Sequence, residues 1–103
     1  MEVLIAADMP LAPGDRPGHK AEKALHHLRR GRLVTIEVES HRSRRRERQI
    51  AEIVKRVRQA LPGVHFTAHH WDRSRLLLTF YPPGVKVPRT ALIGTLDPPL
   101  GHP

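Results

Sequence analysis

Between residues 44 and 61 the apolar side chains of Ile50, Ile53, Val54, Val57 and Leu61 recur at spacings of three and four. That period lines one face of an α-helix and fits no strand. Ser43 stands where an N-cap oxygen is needed, and Pro62-Gly63 supplies the stop. A helix with one apolar face must bury it against a second layer, and the flanking segments have the pattern of that layer. In Leu33–Glu39, Val34, Ile36 and Val38 point one way and Thr35, Glu37 and Glu39 the other. Val64, Phe66, Ala68 and His70 alternate with His65, Thr67 and His69, and Leu76, Leu78 and Phe80 alternate with Leu77, Thr79 and Tyr81.

These last two segments read as a hairpin. A connection at Asp72-Arg73-Ser74 sets Phe66 opposite Phe80 and Ala68 opposite Leu78, making one face nearly all apolar. A connection one residue shorter pairs Thr67 with Phe80 and mixes the faces. Register follows the buried face, so the former is expected. Residues 19–30 form an earlier helix, with Ala21, Ala24, Leu25 and Leu28 inward and Gly31 as its stop. Val3–Ala7 reads as a short strand. Pro10, Pro13, Gly14, Pro17 and Gly18 mark residues 9–18 as a loop.

A strand–helix–strand unit implies a right-handed crossover and parallel pairing, here of 32–39 with 64–70. The hairpin then makes the sheet mixed. The expected fold is α/β (α+β): a two-layer sandwich whose mixed sheet of three to four strands carries two helices on one face. The other face is expected to meet water. At 103 residues the chain fits one domain. Residues 1–82 are expected to be compact. Residues 83–103, rich in Pro and Gly, are expected to form an extended C-terminal arm with a short strand or turn at Ala91–Gly94.

The charge is local. Of a net +8, residues 42–58 contribute +6, from eight basic and two acidic side chains. Counting about 100° per residue, Arg44, Arg48 and Lys55 lie opposite the apolar face, flanked by Arg45, Arg56 and Arg58. Arg44, Arg45 and Arg46 occupy the first turn, where the helix dipole disfavours cations by a few tenths to ~1 kcal/mol each. A phosphate reverses that sign, because free amides and guanidinium forks then face an anion. Arginine outnumbers lysine 14 to 4, which suits two-pronged phosphate contacts. The sequence therefore points to a small basic nucleic-acid-binding protein, DNA or RNA. Its expected phosphate contacts are Arg42, Arg44, Arg45, Arg46, Arg48, Lys55, Arg56 and Arg58. His69 and Tyr81, on the water-facing side of the sheet, are candidate base-stacking residues.

Three common recognition modules do not account for the pattern. There is no helix-turn-helix, the strand 33–39 has no aromatic for an RNA recognition motif, and Gly14-Asp15-Arg16-Pro17-Gly18 has the wrong spacing for a KH clamp. An alternative reading is a protein-interaction module, homo-oligomer or assembly subunit, using the C-terminal arm, the open sheet edge and Trp71. A third is a metal-dependent nuclease combining Glu37 or Glu39 with His41, His65 or His69. The sequence leans away from catalysis and names no catalytic residue, metal ligand set or cofactor. It has no Walker loop, dinucleotide-binding glycine pattern or nucleophile elbow. Ser40 and Ser43 near His41 do not define a triad. Cysteine is absent, which removes disulfides and thiolate chemistry. His65 and His69 lie four strand residues apart, roughly 13 Å, too far for one ion. The histidines do titrate near neutrality, so polyanions are expected to bind more tightly at about pH 6 than about pH 8. There is no apolar run of membrane-spanning length, and the short Val3–Ala7 stretch lacks a basic lead; a cytoplasmic location is expected.

Overall fold

The computed structural model describes residues 6–70 and 74–87. The elements are β1 (Ala6–Leu11), α1 (Pro17–Leu28), β2 (Leu33–Glu39), α2 (Arg44–Ala60), β3 (His65–His70) and β4 (Arg75–Tyr81). The four strands form one mixed sheet in the order β1-β2-β4-β3, and both helices pack on one face.

The hairpin register is the one that segregates the faces. Phe66 lies opposite Phe80, Ala68 opposite Leu78 and His70 opposite Leu76. The turn at Asp72-Arg73, and Trp71 before it, lie outside the described residues.

Two expectations need correcting. The crossover through α2 does not leave β2 and β3 as paired neighbours. Both run the same way, but β4 lies between them and is antiparallel to each. Side-chain chemistry explains the order. Leu76, Leu78 and Phe80 of β4 are all fully buried, whereas β3 carries His65, His69 and His70. The most apolar strand takes a central slot, and the histidine-bearing strand takes an edge.

The second correction concerns residues 9–11. They continue β1, with Met9 beside Ile36, Pro10 beside Glu37 and Leu11 beside Val38. Proline is tolerated there because β1 is an edge strand, with no second neighbour among the described residues to receive a backbone N–H. Met9 and Leu11 are buried with the rest of the core.

The helices follow their apolar stripes. Ala21, Ala24, Leu25 and Leu28 of α1 and Ile50, Ile53 and Val57 of α2 are buried against Val34, Ile36, Val38, Leu76, Leu78 and Phe80. Gly31 ends α1 in the left-handed region, at φ +78°. Its N–H bonds to Leu28 O at 3.0 Å and the Arg32 N–H to His27 O at 3.1 Å, the paired reverse bonds of a Schellman stop.

The face away from the helices is mixed rather than uniformly wet. Glu37, Glu39, His65 and His69 are exposed, and Thr35 and Thr79 meet across the strands at 3.3 Å. Thr67 and Tyr81 on that same face are buried. No described helix is long and apolar enough to cross a membrane.

Candidate nucleic-acid interface

The chain leaves β2 through Ser40, whose φ of +52° bends it sharply toward α2. A non-glycine residue there costs roughly 1–2 kcal/mol. Surrounding contacts hold it: the Ser40 N–H donates to Ser74 O at 2.7 Å. His41 follows and turns inward, its ring 4.7 Å from that of His70. Ser43 then caps α2, its Oγ accepting from the Arg46 N–H at 3.2 Å.

The arginines of the first turn divide into two kinds. Arg46 is buried, with 3% of its surface exposed. Its guanidinium donates to Glu39 O from Nε at 3.1 Å and from Nη2 at 3.0 Å. It also donates to Gln49 Oε1 at 2.8 Å and to Leu11 O. Gln49 continues the chain of bonds, its Nε2 donating to Ala12 O at 3.2 Å, Pro13 O at 3.1 Å and Asp15 O at 3.0 Å. Together the two side chains satisfy carbonyls at the ends of β1 and β2 and in the loop leading to α1. Burial lowers the Arg46 pKa, and the carboxylates of Asp15 and Glu39 work the other way. Arg46 is thus a clamp inside the fold, and its assignment as a phosphate contact is corrected.

The signal for this was in the sequence. Arg46 lies four residues before Ile50 and seven before Ile53, which is the buried face and not the basic one. Charge type alone does not separate Arg46 from Arg44 and Arg45; helical position does. Gln49 carried no comparable signal, because the acceptors of its amide are backbone atoms distant in sequence.

The loop that Gln49 holds has its own polar knot. Asp15 Oδ2 accepts from the Ala12 N–H at 2.7 Å and lies 3.5 Å from Lys20 Nζ. The backbone hydrogen bond is the main reason that the Asp15 carboxyl sits below its ordinary pKa, with Lys20 adding to it against the cost of burial.

The other cations stay on the surface. Arg42, Arg44, Arg45, Arg48, Lys55, Arg56 and Arg58 are exposed. Arg56 is committed to Glu52, Nε to Oε2 at 2.7 Å. The Arg58 guanidinium lies over the Phe66 ring, 5.9 Å from its centre. Arg42, Arg44, Arg45, Arg48 and Lys55 form no ion pair among the described residues. They gather one sign of charge along the outer side of α2 and its approach, with the helix amides at one end.

The candidate stacking residues part company. His69 is exposed on the sheet face. Tyr81 is buried at the end of β4, beside buried Pro82, where the chain turns through a Val85 N–H to Pro82 O bond at 3.1 Å. Its ring is not offered to a base, which corrects that assignment. The histidines do not act as one titrating group either. Burial pushes both His27 and His70 below the ordinary imidazole pKa, and neighbouring cations add to the effect.

Among the described residues no three His, Asp or Glu side chains gather where they could hold a metal ion. Glu37, Glu39, His41, His65 and His69 are therefore not brought into one cation site. The expected arm lies outside the described residues from position 88 onward. No protein-family model matches the chain, and no curated protein matches it.

Proposed function

We propose that this protein binds nucleic acid through its phosphates, using the outer face of α2 and the approach at Arg42. The observation that carries the reading is the division among the arginines. Arg46 meets the internal demand of the fold, while Arg42, Arg44, Arg45, Arg48 and Lys55 remain exposed and without an ion pair among the described residues. Helix stability alone does not favour Arg44 and Arg45 in a first turn. An anion at that end receives both guanidinium forks and helix-end amides.

Binding of fluorescent oligonucleotides across a salt series tests the reading. Five phosphate contacts give a slope of log K against log salt of about −4.5 on duplex DNA, or about 500-fold between ~50 and ~200 mM. The Arg44→Gln/Arg45→Gln/Arg48→Gln variant leaves two of the five, so its slope falls to about −1.8. Absence of binding at the lowest salt, or a variant with the wild-type slope, refutes the assignment.

A further inference from the structure

We infer that the groove between α2 and β3 accepts an unstacked nucleobase, so that the ligand of the basic face is single-stranded nucleic acid. This inference rests on the nucleic-acid reading above and names its substrate class.

The groove is an open surface depression of about 440 Å³. Ile50, Ala51 and Val54 of α2 and Phe66 of β3 form its apolar lining, and Lys55 and Arg58 bring charge to it. It exists because of strand order. β3 is an edge strand, and α2 packs against α1 on its other flank. The β3 side of α2 is consequently left half covered: Val54 and Phe66 are only partly buried, although both pack against the core. A depression lined this way suits an occupant with an apolar, flat body and a negative charge close by.

The surroundings favour a base over other occupants. Phe66 is an aromatic platform, with the tilted ring of its cross-strand neighbour Phe80 beside it at a separation of 6.0 Å. The Arg58 guanidinium over that ring offers a second planar surface, and bases stack on both kinds. Lys55 belongs at once to the groove and to the outward basic stripe. A strand whose phosphates follow the stripe therefore passes the mouth of the groove and can turn a base into it. A second copy of this chain is a poor occupant, since it would bring two sets of Lys55 and Arg58 together. A duplex keeps its bases stacked inside and can use the stripe but not the groove.

Ala51→Gln and Phe66→Leu test this in the full chain. The first adds uncharged bulk at an exposed helical position; the second keeps the site apolar and removes the ring. Wild type is expected to bind a mixed-sequence single strand more tightly than the matching duplex. Each variant is expected to lose about 5–10-fold on the single strand, as for one lost base stack, with the duplex affinity and the salt slope unchanged. Far-ultraviolet circular dichroism and thermal melts confirm that both variants fold. Equal wild-type affinity for the two ligands, or equal losses on both, overturns the inference and leaves the phosphate reading standing. No binding of either ligand at ~50 mM salt removes both. An acidic amphipathic peptide of Glu and Leu is the control for a protein-binding groove; its capture by wild type and loss in Ala51→Gln, without the single-strand effect, also overturns the inference.

Discussion

Replacing Arg46 by methionine separates the internal arginine from its neighbours. The substitution keeps an unbranched side chain and strips the guanidinium from Glu39 O, Leu11 O and Gln49 Oε1. Each buried acceptor that loses its donor costs about 1–3 kcal/mol, and hydrogen bonds to a charged donor lie at the upper end. Two buried acceptors, Leu11 O and Gln49 Oε1, set a gross loss of roughly 2–6 kcal/mol, and the part-buried Glu39 O adds to it. Part of it is offset, because a buried methionine spares the desolvation of a cation. A net loss of about 3 kcal/mol follows, a large share of the ~5–15 kcal/mol that holds a typical domain together. The melting temperature is expected to fall by about 12–20 °C. Arg45→Met, one residue away and exposed, is expected to shift stability by no more than about 0.5 kcal/mol. Its sign is expected to be stabilising, since a cation leaves the positive end of the helix. Urea titration of the two variants beside wild type measures the difference. Unfolding free energies that agree within about 0.5 kcal/mol at a common slope refute the clamp.

Further expectations concern the same corner of the fold. Ser43→Ala removes the cap on the Arg46 N–H and is expected to cost about 1 kcal/mol by urea titration; an unchanged midpoint counts against the cap. Asp15 has a folded pKa below its unfolded value of about 3.9, so its contribution is complete above that pH and is lost as pH falls through the folded value. Asp15→Asn is therefore expected to be less stable than wild type at neutral pH, with the gap closing in acid; a gap that widens in acid reverses the sign of the argument. The lowered pKa of His70 works in the same direction at higher pH: its share of stability is complete above about 6.5 and is lost as pH falls toward the folded value. An NMR titration of His70 with a midpoint above 6.5 contradicts the burial effect. Gly18 lies where an added Cβ meets the tip of the Arg56 side chain at 3.1 Å. That tip is exposed enough to move, so Gly18→Ala is expected to stabilise α1 by about 0.5 kcal/mol; a loss shows that Arg56 is held in place.

The layers of this fold were legible where a single face had to be apolar. Ile50, Ile53 and Val57 defined α2, and the alternation of Phe66, Ala68, Leu78 and Phe80 set the hairpin register. Pattern alone did not reveal that β4 enters between β2 and β3. That choice depends on how much polar surface each strand can expose at an edge, which is a property of the assembled sheet. Pro10 hid the end of β1, because its tolerance there depends on the strand lying at an edge. The basic surface was legible as charge, but only helical position distinguishes Arg46 from Arg45. Tyr81 alternated like an exposed residue and is buried at the point where the chain turns at Pro82. The groove at Phe66 was not legible at all, since it arises between two elements whose separation no local pattern records.

The most direct test of the account is an NMR titration of the labelled full chain with a short single strand at ~50 mM salt, following backbone amides and arginine Nε–H groups together. The account requires shifts at residues 42–58 and at the Nε–H of Arg44, Arg45 and Arg48, with the Arg46 Nε–H still bonded to Glu39 O and unmoved. Shifts confined to the sheet face around Thr35, Thr79 and His69, or no shifts at all, contradict it.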